Sequence, residues 1–246
     1  MPRDRRIYPN PPIVEAVVEL RFEGGVPWTP EVRAAVKARL PAYSGAPRAS
    51  QQIELHAALA EGSVTTGART TLQAVLYPSA NGSSLVGLGT GHVSVHALAP
   101  YPSWETFLER IEAAVAAYTE VVTPTSISQV AVRYIDRVKL PGGVESLADY
   151  FVGIPARPET MPAKLAAFHV VLQAVDEDGT LALLTLSTAV PDADQRPIIL
   201  YDLNLVRGLP AATPIAGWRG QVEDLHARQR DIFEDSITDK TRELFR

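Results

Sequence analysis

The chain has 246 residues, 46% of them hydrophobic and 21% charged, with a formal net charge of −5 at neutral pH. That composition supports a buried core, and its negative balance supplies no global field toward nucleic acid or an anionic membrane. The absence of cysteine excludes disulfides, thiol nucleophiles and cysteine-ligated zinc or iron–sulfur centres. Met1 to Arg6 is charged and runs into Pro9, Pro11 and Pro12, whereas a secretory signal continues into an apolar run. No apolar stretch reaches the roughly 20 residues of a membrane span. The expected setting is the cytoplasm, without membrane association.

In chain order, Val14, Ala16, Val18, Leu20 and Phe22 alternate with Glu15, Val17, Glu19, Arg21 and Glu23. Period two predicts a strand with one dry and one wet face. Glu31 to Leu40 reads as a short helix, with Pro30 in its first turn and Pro41 ending it. Strands follow at Gln51–Leu59, Thr70–Tyr77 and Leu85–Leu98, separated by turns such as Ser79–Ser84. Ser103 is placed to cap a long helix in which Trp104, Phe107, Leu108, Ile111, Val115, Tyr118 and Val122 recur at three- and four-residue intervals.

The pattern then restarts. Val130, Val132, Tyr134 and Val138 share one face of a strand over Ile127–Leu140, and Arg133, Arg137 and Lys139 share the other. A short helix around Glu145–Tyr150 and a connection over Ile154–Pro162 lead to strands at Ala167–Val175 and Leu181–Ser187, joined by the hairpin signal Asp176–Gly179. A strand at Pro197–Arg207 precedes a closing helix with the stripe Val222, Leu225, Gln229, Ile232, Phe233 and Ile237, and Thr238 is placed to cap a last helix over Asp239–Phe245. The expected fold is α+β and a single structural unit. Its duplicated β-α-β-β-β-α halves, 8–125 and 126–246, form one curved antiparallel sheet of about eight strands with both long helices on one face. This element order resembles the saddle of the TATA-box-binding protein, a likeness of shape that carries no function.

On this parity the open face of the sheet carries Glu15, Glu19, Arg21, His92, Ser94, His96, Arg133, Arg137, His169, Gln173, Asp202 and Asn204. His92 and His96 have the i, i+4 spacing of a helical metal pair, but four strand residues span about 13 Å, too far for one ion. Gly87, Gly89 and Gly91 lead into the alternating HVSVH and not into a helix, so they read as a bent or bulged strand, not a phosphate cradle. No serine sits in a G-x-S-x-G elbow, and a triad from Ser94, His96 and Asp202 has no motif behind it. Asp136 falls on the apolar side of its strand between Arg133 and Arg137, which points to a structural salt bridge or a hydrogen-bonded turn. Trp104, Tyr134 and Trp218 read as core. The basic row Arg133, Arg137, Lys139 suits a phosphate backbone, and Glu15 and Glu19 on the equivalent strand oppose it.

The segments YPNPPIVEAVVELRF (Tyr8–Phe22), VAVRYIDRV (Val130–Val138) and IFEDSITDKTRELF (Ile232–Phe245) resemble a sporadically distributed, uncharacterised bacterial protein family of this length. The resemblance spans essentially the whole chain, and N-P-P-I-V-E-A is its most specific stretch. It brings no catalytic residue, substrate or cofactor, and its sporadic distribution implies an accessory role such as defence or toxin–antitoxin function. The expectation is a non-enzymatic interaction module, without metal or cofactor, that binds a protein partner through Glu15, Glu19, Arg21, His92, His96, Arg133, Arg137, His169, Asp202 and Asn204. Two alternatives stand beside it. One is an enzyme or small-ligand protein with a pocket at the seam between halves, where Asp136, His96, His169 and Asp202 converge; the other is nucleic-acid binding through the sheet face.

Overall fold

The computed structural model describes residues 6–60, 63–142, 146–154, 158, 160 and 167–246, with the backbone alone for 50–60 and 63–73. Strand β1 (Ile13–Glu23) and helix α1 (Pro30–Ala38) precede β2 (Arg48–Ala60), β3 (Ser63–Pro78), β4 (Ser84–Gly89), β5 (His92–Leu98) and α2 (Trp104–Val122). The second half comprises β6 (Ser126–Lys139), β7 (His169–Val175), β8 (Leu181–Ala189), β9 (Ile198–Gly208), α3 (Trp218–Ser236) and α4 (Asp239–Glu243). The class is α+β, with one nine-stranded antiparallel sheet in the order β2-β3-β4-β5-β1-β6-β9-β8-β7. In each half the first strand pairs with the last, β1 with β5 and β6 with β9. The halves join through β1 and β6, where Val18 stands opposite Val132. Among the described residues no helix is long and apolar enough to cross a membrane.

Alternation sets which face is covered. Ala16, Val18, Leu20 and Phe22 of β1, Val93, Val95 and Ala97 of β5, and Val130, Val132, Tyr134 and Val138 of β6 are buried in one core with the apolar stripes of α2 and α3. Each large apolar side chain removed from water there contributes about 1.5–3 kcal/mol before entropy is counted. Helix α2 packs on β5, and α3 on β6 and β9. The two helices also meet each other, through a Trp104–His226 ring stack at 3.7 Å and an Arg219–Glu112 ion pair, so they form one layer on one side of the sheet. Ser103 caps α2 by accepting from Thr106 N at 3.2 Å, and Thr29, ahead of Pro30, does the same for α1 from Val32 N.

Four expectations need correction. Leu85–Leu98 is two strands: β4 and β5 fold back on each other with Gly89 opposite His92, leaving Thr90 and Gly91 as a two-residue turn. The first half therefore has four strands after α1, and the sheet has nine where about eight were expected. Gly91 takes φ +57°, and a Cβ there would lie 2.6 Å from the carbonyl oxygen of Phe22, so the glycine run is a hairpin turn and not a bend. The helix expected around Glu145–Tyr150 is a single 3-10 turn over Leu147–Asp149, and Glu145 lies outside the described residues, as does most of Ile154–Pro162. The Asp176–Gly179 turn forms as expected, with Asp176 N donating to Thr180 O and Gly179 N to Asp176 O. Thr238 stands at the start of α4, but its hydroxyl donates to Asp149 O and does not cap the helix.

Candidate functional site at the seam of the helix layer

The polar residues expected on one face do share it. In register, Arg21 stands opposite His92, Glu19 opposite Ser94, and Arg133 opposite Asn204, all on the side of the sheet away from the helices. Their charges are used up among themselves. His96 reaches Glu15 at 2.8 Å and Ser94 at 3.1 Å, and Arg21 pairs with Glu19 at 2.9 Å. Arg133 holds Asp202 at two points, 2.8 and 2.5 Å, while Arg137 pairs with Asp192 and Lys139 with Asp194 at 2.7 Å. The hydrogen bond from His96 keeps the Glu15 carboxyl below its usual range. Burial alone would raise Glu19, but its contacts with His92 and Arg21 outweigh it and the net shift is downward. Histidines 92 and 96 thus face different carboxylates, Glu19 and Glu15. His169 lies apart from this ladder, on the edge strand β7.

A different arrangement occupies the opposite side. A cleft of about 300 Å³, open to solvent on one side, is lined by the N-terminal segment (Arg6, Ile7, Tyr8, Pro11, Pro12, Ile13), the entry and start of α2 (Tyr101 to Glu105), Tyr134 and Asp136 on β6, and His226, Gln229, Arg230, Phe233 and Glu234 on α3. Strand β6 supplies its floor because even-numbered residues there face the helices, and α3 supplies a wall because Gln229 and Phe233 stand one turn apart. Trp104 and Tyr134 accordingly line a cavity as well as belonging to the packed layer, a role beyond the core reading.

Asp136 is the unusual group. It is 2% exposed, and among the described residues no hydrogen bond or ion pair reaches its carboxyl. The expected salt bridge is absent because Arg133 and Arg137 project from the other side of the strand and are held there by Asp202 and Asp192. For the same reason His96 and Asp202 do not converge on Asp136: the sheet lies between them, and His169 is at its edge. Burial, with a smaller contribution from the negative charge of Asp202, pushes Asp136 up to about 8, so its carboxyl is protonated at neutral pH. Gln229, 4% exposed, also makes no side-chain hydrogen bond among the described residues.

The remaining polar groups of the cavity are arranged around these two. The hydroxyls of Tyr101 and Tyr134 lie 3.0 Å apart. Burial pushes Tyr101 up to about 12 and Tyr134 well above its ordinary value, so both stay protonated. Among the described residues Arg230 donates to Arg6 O, at 3.4 Å, and makes no close ion pair with a carboxylate, although its charge is felt by Glu105 and helps to lower it. Glu234 is already taken, accepting from Tyr8 at 2.7 Å and from Arg242 at 3.0 Å. Parity had singled out Asp136, and helical spacing had placed Gln229 on the inward stripe. The cavity itself left no trace in either pattern, since much of its lining comes from the irregular segments 6–12 and 101–103. No protein-family model matches the chain, and no curated protein matches it.

Proposed function

We propose that this protein is a binding module that takes a small organic ligand in the seam cavity, without carrying out chemistry on it. The observation that carries the reading is that two buried polar side chains, Asp136 and Gln229, line one apolar-walled cavity and make no side-chain hydrogen bond among the described residues. A binding pocket is expected to have that composition, mostly apolar with a few convergent polar groups, and 300 Å³ is at the lower end of the usual size range. The open sheet face is the weaker candidate because its arginines and carboxylates already satisfy one another, which also removes the free positive row that nucleic acid would need. Ligand-observed NMR with a fragment library tests the reading. Hits should compete with one another for wild type and weaken in Gln229→Met, which keeps the volume and removes the amide; a library without a Gln229-sensitive hit overturns it.

A protein partner remains the second reading, now through a sheet edge. Strand β7 is terminal in the sheet and exposes Val171, Leu172 and Val175 at 50%, 46% and 68%. Unpaired strand edges accept an extended segment of another chain. Val171→Lys with Val175→Lys should abolish capture of such a partner at unchanged melting temperature, and retained capture removes the edge. We also read the halves as a duplication with a saddle-like arrangement, supported by the shared pairing of first with last strand and by the long helix that follows each last strand.

A further inference from the structure

We propose that the seam cavity selects small hydrophobic monocarboxylates, such as an aromatic or branched aliphatic acid. The carboxylate is held by Arg230, the Tyr101–Tyr134 hydroxyl pair and Gln229, and the apolar part lies against Trp104, Phe233 and Ile13. This inference rests on the cavity being a ligand site and adds the chemical class.

The polar side of the cavity is rich in donors. Of the two tyrosine hydroxyls one donates to the other, which leaves the second proton free for a ligand oxygen. Protonated Asp136 has one O–H to give, the Gln229 amide has two N–H donors, and Arg230 is a guanidinium without a close ion pair among the described residues, its charge acting at longer range on Glu105. A carboxylate matches that set, since it only accepts, can take two bonds from one guanidinium, and replaces the ion pair Arg230 lacks. The start of α2, a 19-residue helix, also lies on the cavity lining, and the positive end of its dipole favours an anion there. Two lining carboxylates oppose it, Glu105 at the rim and Glu234, the latter already held by Tyr8 and Arg242. Size and walls limit the rest of the ligand: Trp104, Phe233, Ile13, Pro11 and Pro12 offer apolar surface to a single ring or a short branched chain.

Asp136 makes the binding sensitive to pH. Held neutral, it can donate to the bound acid; once ionised, it repels it. The groups around it are Tyr134 and Tyr201 on the sheet, with Asp202 on its far side, Arg230, His226 and Glu234 on α3, and Tyr101 and Glu105 at the start of α2. Of these Asp202 is locked to Arg133, and the tyrosines stay protonated across the range, so the response near and above pH 8 belongs to Asp136.

Calorimetric titration of the full chain at pH 6.5 with benzoate, phenylacetate and isovalerate, beside benzamide, benzyl alcohol and benzylamine, tests the class. The acids should bind at least tenfold tighter than the neutral and cationic analogues. Arg230→Gln should lose at least tenfold for the acids alone, with Arg230→Lys recovering part of it, and Asp136→Asn should remove the weakening of acid binding above pH 8, whatever its affinity at pH 6.5. Equal or tighter binding of benzamide or benzylamine overturns the carboxylate assignment and leaves the cavity as a ligand site. If none of the six probes binds, the assignment is overturned, and Gln229-sensitive fragment hits then decide separately whether the cavity is a ligand site.

Discussion

Arg133 grips Asp202 at two points across the β6–β9 pair, on the side of the sheet away from Asp136, which lies three residues further along the same strand without an ion pair among the described residues. The two aspartates lie on opposite sides of the sheet. One meets the guanidinium on the open face; the other enters the helix layer and holds its proton there.

Replacing Asp136 with asparagine should therefore stabilise the fold at neutral and alkaline pH. The sign follows from linkage. The folded group titrates at about 8 and an unfolded aspartate at about 3.9, so between these values the unfolded chain has lost a proton that the folded chain retains. Stability contributed by this group thus falls as pH rises through that window, by at most about 1.4 kcal/mol per unit, and levels off above pH 8. Asp136→Asn has no such slope. Urea denaturation of both proteins from pH 5 to 8.5 should show a difference growing to the order of 2–4 kcal/mol in favour of the variant; parallel curves would mean that Asp136 is ionised in the folded state.

Arg207 should be the most costly single arginine to remove. It is buried on the helix side of β9 and donates to Thr180, Gln221, Asp178 and Asp224, which ties the Asp176–Gly179 turn to α3. Arg207→Met retains the apolar stem and deletes the hub. Arg228 also reaches Asp178 and Asp224, so the loss is partly compensated, and a cost of about 2–3 kcal/mol is expected. The urea midpoint should drop with an unchanged slope.

How much of this was legible depended on periodicity. The alternation of Val14 to Glu23 and of Val130 to Lys139 located both central strands and the face each residue takes, and the helical spacing from Trp104 to Val122 located α2. The Gly87–Gly91 stretch misled because HVSVH continues the alternation of SLVGLG, so only the positive φ of Gly91 distinguishes a two-residue turn from a bend. Asp136 was legible as a buried carboxyl but not as an unpaired one, because sequence adjacency to Arg133 and Arg137 says nothing about which side of a strand a cation occupies until parity is applied to the pair. The cavity depends on where the proline-rich entry segment crosses α3, a long-range relation with no local pattern.

The β4–β5 turn offers a test of that last point about glycine. Gly91→Ala would place a Cβ 2.6 Å from Phe22 O, in a left-handed conformation that alanine disfavours, and Phe22 N also donates to Gly91 O at 2.8 Å, so the turn cannot move away freely. A loss of about 1–3 kcal/mol is expected. Gly82→Ala is the control, since a Cβ there meets nothing within 4 Å although its φ is also positive. The clash alone separates the two, and equal losses in thermal melts would show that the approach to Phe22 is not tight.

The ladder on the open face should matter little for stability and measurably for acid titration. His96 holds Glu15 below its usual range, so the contact contributes stability that is present above the unfolded carboxylate value and is lost as pH falls through the lower, folded one. Because Glu15 is only half buried, solvent screening limits the contribution to less than about 1 kcal/mol. His96→Ala should return the Glu15 carboxyl carbon, followed by NMR, toward an ordinary carboxylate midpoint while shifting the urea midpoint only slightly at pH 7. Raising salt should leave the wild-type titration of Glu15 nearly unmoved if the pair is as close as 2.8 Å, because short, half-buried contacts are screened far less than exposed ones. A Glu15 midpoint unaffected by His96→Ala would mean that the contact does not persist in solution, and the open face would then regain free charge with which to meet a partner.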